Sequence, residues 1–249
     1  MQNKKLIVFD LDGTLAQSKS PMDKEMSDLL NELLSIKKVA VISGGSYNQY
    51  QNQFLKSLQC PEQLLQNLYL FPTCSTSFYR YDNGWKQIYA NYLADSEKNK
   101  IMDAFQKAWI DINYQQPAQL YGDVLEDRLT QITFSALGQK APLNFKKAWD
   151  PDKIKRMQLK QTLEKYIPEF DIGIGGTTSL DVTRKGIDKG YGIKQIEKHL
   201  DVKIEEMLFI GDALFEGGND YPVKLIGVDC IAVDGPEETK KIIEQIIKK

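Results

Sequence analysis

Three short apolar runs, "LIVF" at 6–9, "VAVI" at 39–42 and "MLFI" at 207–210, set the tightest constraint on this fold. Each is too brief for a helix and shows no polar alternation, so each reads as a strand buried on both faces. A fourth strand is expected at 225–228. Amphipathic helices separate or follow them. In "SPMDKEMSDLLNELL", Ser20 reads as the cap, Pro21 as the first turn and Asp23 as the partner in a capping-box pattern. Met22, Met26, Leu29 and Leu33 then line one face. "PEETKKIIEQIIKK" closes the chain with Ile242, Ile243, Ile246 and Ile247 in a stripe. Strands alternating with helices predict an α/β, Rossmann-like parallel sheet covered on both sides.

The middle of the chain breaks this rhythm. Helices are expected at 95–112 and 153–167, and the alternating segments "RLTQITFSAL" and "TTSLDVTR" predict antiparallel strands with one covered face. "FDIGIGGTTSLDV" reads as a hairpin turning at Gly175-Gly176. The expected organisation is therefore a core of residues 1–84 and 186–249, interrupted by an α+β insert at 85–185.

The chain has 249 residues, and its 42% hydrophobic content suffices for a substantial core. Lysine and arginine (32) nearly balance aspartate and glutamate (34), so no general basic field exists for nucleic acid. Three scattered cysteines, Cys60, Cys74 and Cys230, form no CxxC pair and argue against a disulfide framework or thiolate zinc site; buried thiols are expected. The apolar runs are far too short to span a bilayer. Asp10 cuts off the first run before a signal-peptide core could form. A soluble, cytoplasmic protein without membrane or nucleic-acid partners is expected. The single histidine, His199, is expected at a helix end on the surface, which weakens the case for multi-histidine metal sites and serine triads.

Open parallel sheets bind ligands beyond the carboxyl ends of their strands. Asp10 and Asp12 follow the first run, Ser43, Gly44 and Gly45 the second, and Gly211 and Asp212 the third, ahead of "ALFEGGND" with Asn219 and Asp220. Carboxylates gathered this closely repel one another. A divalent cation changes the sign, and Mg²⁺ prefers such oxygen ligands together with a substrate phosphate. An aspartate can then attack phosphorus, while a second carboxylate protonates the leaving oxygen and later activates water.

"DLDGT", "ISGG", the lysine of "GIDKG" and "GDALFEGGND" resemble, in order, the four motifs of the haloacid dehalogenase superfamily. The insert falls between the second and third motifs, as in subclass IIB members with a large α+β (C2b-type) cap. "EDRLTQITFSALG" and "GGTTSLDV" further resemble the phosphomannomutase and sugar-phosphate phosphatase branch. The resemblance implies Asp10 as nucleophile and Asp12 as general acid/base, with Asp10, the Asp12 backbone carbonyl and Asp212 around Mg²⁺. It implies that Ser43 and Gly44 contact the phosphoryl group, Lys189 neutralises charge, and Asn219 and Asp220 lie behind the metal or at an additional site. Arg128, Ser179 and Asp181 would contact a sugar phosphate, and a homodimer through the cap is a further implication. Ser179 and Asp181 share one strand face by period-two spacing, opposite Leu180 and Val182.

One departure bears on the reaction. The phosphomannomutase branch grips a distal phosphate with several cap arginines. Arg128 matches the first, but Gln139 stands at the second and Lys146 at the third. Glutamine brings no charge, and lysine lacks the bidentate fork. A Mg²⁺-dependent phosphatase for a small phosphorylated metabolite, a sugar phosphate, is therefore the leading expectation. A phosphohexomutase interconverting hexose 1- and 6-phosphates is the alternative, with Lys140 or Lys146 compensating. A phospho-acceptor signalling module would need its aspartate on a later strand, where the region near Phe54 has none, and a silent sugar-phosphate binder would not need Asp10, Asp12, Lys189 and Asp212 together.

Overall fold

The computed structural model describes residues 3–18 and 20–248, which form two compact units: residues up to 90 with 188 onward, and residues 91–187. The larger unit begins with β1 (Leu6–Phe9), α1 (Lys24–Ile36), β2 (Lys38–Ile42), α2 (Tyr47–Tyr50) and a π-helical turn (Gln51–Leu55). It continues through α3 (Glu62–Leu65), β3 (Leu68–Phe71), the single turn α4 (Pro72–Ser75), β4 (Ser77–Tyr81) and β5 (Trp85–Ala90). The smaller unit holds α5 (Asp95–Asp111), β6 (Leu125–Asp127), β7 (Ile132–Ser135), α6 (Leu143–Trp149), α7 (Ile154–Tyr166), β8 (Phe170–Gly175) and β9 (Ser179–Arg184). The chain returns to the larger unit with α8 (Lys189–Leu200), β10 (Met207–Gly211), α9 (Tyr221–Leu225), β11 (Asp229–Ala232) and α10 (Pro236–Ile247).

Seven strands form the larger sheet in the order β11-β10-β1-β2-β3-β4-β5. Its first five are parallel, and β4 and β5 add an antiparallel edge. The apolar runs are continuous because both faces are covered. Ile7, Phe9, Val39, Val41 and Ile210 pack with Met26, Leu30 and Leu33 of α1 and Ile243 and Ile246 of α10. Leu6, Val8, Ala40, Ile42 and Phe209 pack on the opposite face with Ile193 and Ile196 of α8. Each such side chain larger than alanine contributes about 1.5–3 kcal/mol by leaving water.

Several local expectations are corrected. Asp23, not Ser20, caps α1: its Oδ1 accepts from Met26 N at 2.9 Å. No strand forms at 225–228, where Leu225 ends α9 and Gly227 turns at φ +90°; β11 follows it. Trp85–Ala90, placed in the insert by composition, pairs with β4 in the larger sheet as β5. The cysteines are half-buried rather than buried. His199 is exposed in the last turn of α8 and stacks on Tyr89 at 5.0 Å between ring centroids.

In the smaller unit, an antiparallel sheet of order β6-β7-β9-β8 carries α5 and α7 on one face. Ile132, Phe134, Leu180 and Val182 point to Phe105 and Leu163 of those helices. The alternate residues make a polar stripe on the other face, with Thr133 opposite Asp181 and Ser135 opposite Ser179. The β8–β9 turn is held by a buried ion pair. Arg156, 2% exposed, donates from Nε to Asp150 Oδ2 at 2.7 Å and from a terminal nitrogen to the carbonyls of Gly175 (3.2 Å) and Gly176 (2.7 Å). The Asp150 carboxylate also accepts from the backbone N–H groups of Lys155 (3.0 Å) and Arg156 (3.2 Å), capping the start of α7.

Candidate active site

The carboxyl ends of β1, β2 and β10 and the first residue of α8 bring Asp10, Asp12, Ser43, Lys189, Asp212 and Asp220 into one cluster. Register does the first part: β1 lies between β2 and β10, with Phe9 beside Val41 and Ile210, so the residues that follow emerge together. Asp10 N donates to Ile210 O at 3.0 Å, continuing the ladder one residue beyond the strand. Space does the second part. A Cβ at Gly192 would lie 2.3 Å from both Ile42 Cδ1 and Ser75 Oγ, so α8 needs a bare backbone there to seat its first turn. Gly13 turns at φ +92° with the Asp212 carboxylate only 2.5 Å from where a Cβ would stand.

Lys189, 2% exposed, donates from Nζ to Asp10 Oδ1 and to Asp220 Oδ1, both at 2.5 Å. Asp220 is fully buried and its second oxygen accepts from Ala213 N at 3.0 Å. Thr14 Oγ1 lies 3.5 Å from Asp10 Oδ2, at the outer limit of a hydrogen bond. Two carboxyls, those of Asp10 and Asp220, thus share one ammonium, and the Asp212 carboxyl stands within 4.8 Å of both. Burial pushes the Asp10 carboxyl well above its ordinary range; Lys189 opposes this, and Asp220 and Asp212 add to it. Burial likewise raises Asp212, to about 6, with Asp220 reinforcing the shift. Burial works against the Lys189 charge, but Asp10 and Asp220 outweigh it and raise its pKa, so the ammonium keeps its proton.

That surplus of negative charge defines what the cluster can hold. Asp10, Asp212 and Asp220 each place one carboxylate oxygen within 4.8 Å of the others. An all-oxygen donor set in which burial raises the Asp10 and Asp212 carboxyls fits a hard divalent cation such as Mg²⁺, whose charge stabilises the ionised forms. Asp212 is exposed and open to such an ion, whereas Asp220 is committed to Lys189 and Ala213. Asn219 is half-buried beside it in the loop after β10.

The second strand end forms a small cradle. Ser43 is buried, and its Oγ accepts from Gly45 N at 3.1 Å, which directs the hydroxyl proton elsewhere. Gly44 is half-buried between them. The cradle is held from behind by α4, where Thr73 (φ 52°), Cys74 (φ 53°) and Ser75 (φ 66°) are all left-handed. Cys74 N donates to Ser43 O and Thr73 N to Gly45 O, each at 2.9 Å.

A profile of the haloacid dehalogenase-like hydrolases matches residues 7–249. The chain belongs to that family. This haloacid dehalogenase-like hydrolase is 27% identical over 262 residues to a phosphomannomutase of Encephalitozoon cuniculi, spanning 99% of this chain and 94% of the relative. A phosphomannomutase of Saccharomyces cerevisiae is 26% identical over 251 residues, spanning 97% and 93%. Among solved structures, IMP-bound Plasmodium falciparum IMP-nucleotidase shares the fold at a TM-score of 0.73 and 17% identity, over 99% of this chain and 68% of that one. A haloacid dehalogenase-like hydrolase from Bacteroides thetaiotaomicron aligns at 0.63 and 14%, over 98% and 99%. The α/β core and the resemblance read from the four motifs agree with these findings, and this is a phosphoryl-transfer enzyme of the haloacid dehalogenase type. No helix among the described residues of this haloacid dehalogenase-like hydrolase is long and apolar enough to cross a membrane.

The remaining predicted residues of this family member lie in the smaller unit. Asp181 accepts from Gln131 Nε2 at 2.8 Å and Thr133 Oγ1 at 2.7 Å, and the Ser179 and Ser135 hydroxyls are 3.0 Å apart. Ser179 and Asp181 therefore share a face, together with Thr133 and Ser135, which the motif reading did not single out. Arg128 is paired with Glu126 at 2.8–3.0 Å. Gln139 Nε2 donates to Ser135 Oγ at 2.7 Å, and buried Lys146 donates to Gln139 O at 3.0 Å, while Lys140 is exposed. In the larger unit, Gln49 and Gln53, also missed from sequence, contact the Asp12 carboxylate.

Proposed function

We propose that this enzyme is a Mg²⁺-dependent phosphohexomutase that interconverts hexose 1- and 6-phosphates through an aspartyl phosphate on Asp10. The observation that carries this reading is the reach of the phosphomannomutase likeness, which spans 97–99% of the chain in the relatives named above. It takes in the smaller unit with its polar β7–β9 stripe, not only the carboxylate cluster. This reverses the order expected from sequence, where hydrolysis led.

In this reading an Asp10 Oδ forms a bond to phosphorus while the bond from phosphorus to the sugar oxygen breaks. Asp12 gives that oxygen a proton and so becomes a carboxylate ready to take one from the next hydroxyl. Lys189 balances charge on Asp10, and the Ser43 hydroxyl and Gly44 backbone hold phosphoryl oxygens. Asp10, Asp212 and the Asp12 carbonyl hold Mg²⁺, with Asn219 and Asp220 behind them. When bound, Mg²⁺ screens these carboxylates from an incoming phosphate dianion. Arg128, Ser179 and Asp181 contact the sugar phosphate. A cytoplasmic enzyme that dimerises through the smaller unit completes the reading, and light scattering on the purified chain tests the dimer.

A second reading, a sugar-phosphate phosphatase, is favoured by one specific observation. Gln139 offers a neutral amide where a cap arginine is expected, and Arg128 already faces the Glu126 carboxylate. Weak grip on a distal phosphate favours release over return to the sugar. Phosphorus NMR of the protein with Mg²⁺ and mannose or glucose 1-phosphate, with and without a hexose bisphosphate, separates the two. The mutase predicts 6-phosphate that accumulates with bisphosphate present. Inorganic phosphate as the dominant product would overturn it in favour of the phosphatase.

A further inference from the structure

Gln49 and Gln53 form a clamp that the family motifs do not name. Gln49 Nε2 donates to Asp12 Oδ2 at 3.1 Å, and Gln53 Nε2 donates to Asp12 Oδ1 at 2.8 Å. Carboxylate oxygens only accept, so both amides must turn their NH₂ groups toward Asp12. The Gln53 carbonyl then accepts from Gln49 Nε2 at 3.0 Å, closing a ring of three side chains. Gln53 is buried at 3% exposure, and its backbone carbonyl accepts from Met22 N at 2.9 Å. The π-helical turn that carries it is anchored by buried Tyr50 and Phe54. On the other side, a Cβ on Gly45 would lie 2.8 Å from Gln49 Cδ and Oε1. The bare backbone of the Ser43–Gly45 cradle is thus what admits the Gln49 amide.

We infer that Gln49 and Gln53 are positioning residues for proton transfer by Asp12. The inference rests on the acid–base role proposed for Asp12. Two donors on two different oxygens fix the plane of the carboxyl group and stabilise the carboxylate left after its proton goes to the sugar oxygen. The pair acts at the step in which the phosphorus–oxygen bond breaks and that oxygen takes the Asp12 proton. A hexose oxygen needs the proton to leave; a nitrophenolate leaves without it. The leaving group therefore reports on the clamp itself.

The test uses Gln53→Leu and Gln49→Leu in the full chain with Mg²⁺, following phosphoenzyme formation in a single turnover. Glucose 1-phosphate and p-nitrophenyl phosphate are the two donors. Transfer from the hexose phosphate is expected to slow about ten- to a hundredfold, as for a misplaced acid. Transfer from the nitrophenyl ester is expected to stay within about threefold, since it needs no acid. Equal losses on both donors, or no loss on either, would overturn the inference while leaving the aspartyl phosphate intact. An unmodified protein that forms no phosphoenzyme from either donor would instead remove the proposed function, and the inference with it. If Gln53→Leu does not fold, Gln49→Leu at the half-buried position carries the same comparison.

Discussion

Replacing Asp150 with alanine leaves a guanidinium stranded inside the smaller unit. Arg156 and Asp150 are both 2% exposed, and no solvent shell stands ready to take over from the lost carboxylate. Removing one partner of such a pair costs about 3–5 kcal/mol, because the remaining charge stays buried and uncompensated. The carboxylate also caps α7 through Lys155 N and Arg156 N, worth about 1 kcal/mol more. For a domain of about 100 residues, 3–5 kcal/mol corresponds to a fall of roughly 15–25 °C in melting midpoint. Tryptophan fluorescence is a suitable probe, since Trp109 and Trp149 lie in this unit and Trp85 in the other. A double replacement, Asp150→Leu with Arg156→Met, should recover most of the loss, because apolar residues of similar size satisfy a buried ionic site without desolvating charge. It should still fall short of the unmodified protein by about 1–2 kcal/mol, since the Gly175 and Gly176 carbonyls lose their donor. A fall below about 5 °C for Asp150→Ala would refute the reasoning, as would a double variant less stable than the single one.

Lys189→Met leaves the Asp10 and Asp220 carboxyls facing each other without a cation. Denaturant titration should register a loss of about 3–5 kcal/mol in the metal-free protein, and turnover should drop about a thousandfold. Asp212, raised to about 6, binds a proton more tightly in the folded state than in the unfolded chain. Metal-free protein should therefore lose stability as pH rises from about 4 through 6. Mg²⁺ added above pH 6 should restore it, and its affinity, read by calorimetry, should fall about tenfold per pH unit below that point. Gln139→Arg adds the charge that the cap position lacks; tighter retention of a hexose bisphosphate and a lower ratio of released phosphate to isomerised sugar are expected. An unchanged ratio counts against a distal-phosphate role for this position.

Among the parallel strands, three that are buried on both faces are legible from sequence, whereas β3 is not. The one-face-covered strands and the helices of the smaller unit are legible by their periodicity. Residues 6–9, 39–42 and 207–210 could be read because nothing polar interrupts them, and the parallel order then placed Asp10, Ser43 and Asp212 at neighbouring strand ends. β4 and β5 escaped because "SFYRY" and "WKQIYA" form the half-exposed antiparallel edge, where neither a continuous run nor a clean alternation survives. The misplaced strand at 225–228 has a local cause, a glycine turning at φ +90°. In the site, the motif named both Asn219 and Asp220, but only the structure separates a half-buried amide from a carboxylate locked onto Lys189. Gln49 and Gln53 carried no chemical flag. Their four-residue spacing behind "ISGG" was the one available signal, and it is shared by many exposed helices.

The left-handed turn at Thr73–Ser75 shapes how this chain can drift over generations. It holds the Ser43–Gly45 loop through main-chain N–H groups, while the buried Thr73 hydroxyl also accepts from Thr76 Oγ1 at 2.6 Å. At half-buried position 74 the handedness of the backbone therefore matters more than the side chain. Each such residue other than glycine costs about 1–2 kcal/mol, most for a β-branched one such as Thr73. Glycine, asparagine and aspartate should enter the half-buried position 74 readily in a library selected for folding and turnover. Proline at 74 should be purged, since it would remove the donor to Ser43 and cannot adopt a positive φ. Tolerance to replacement in this loop is therefore set at position 74 by permitted backbone angles, and at 73 and 75 by burial as well.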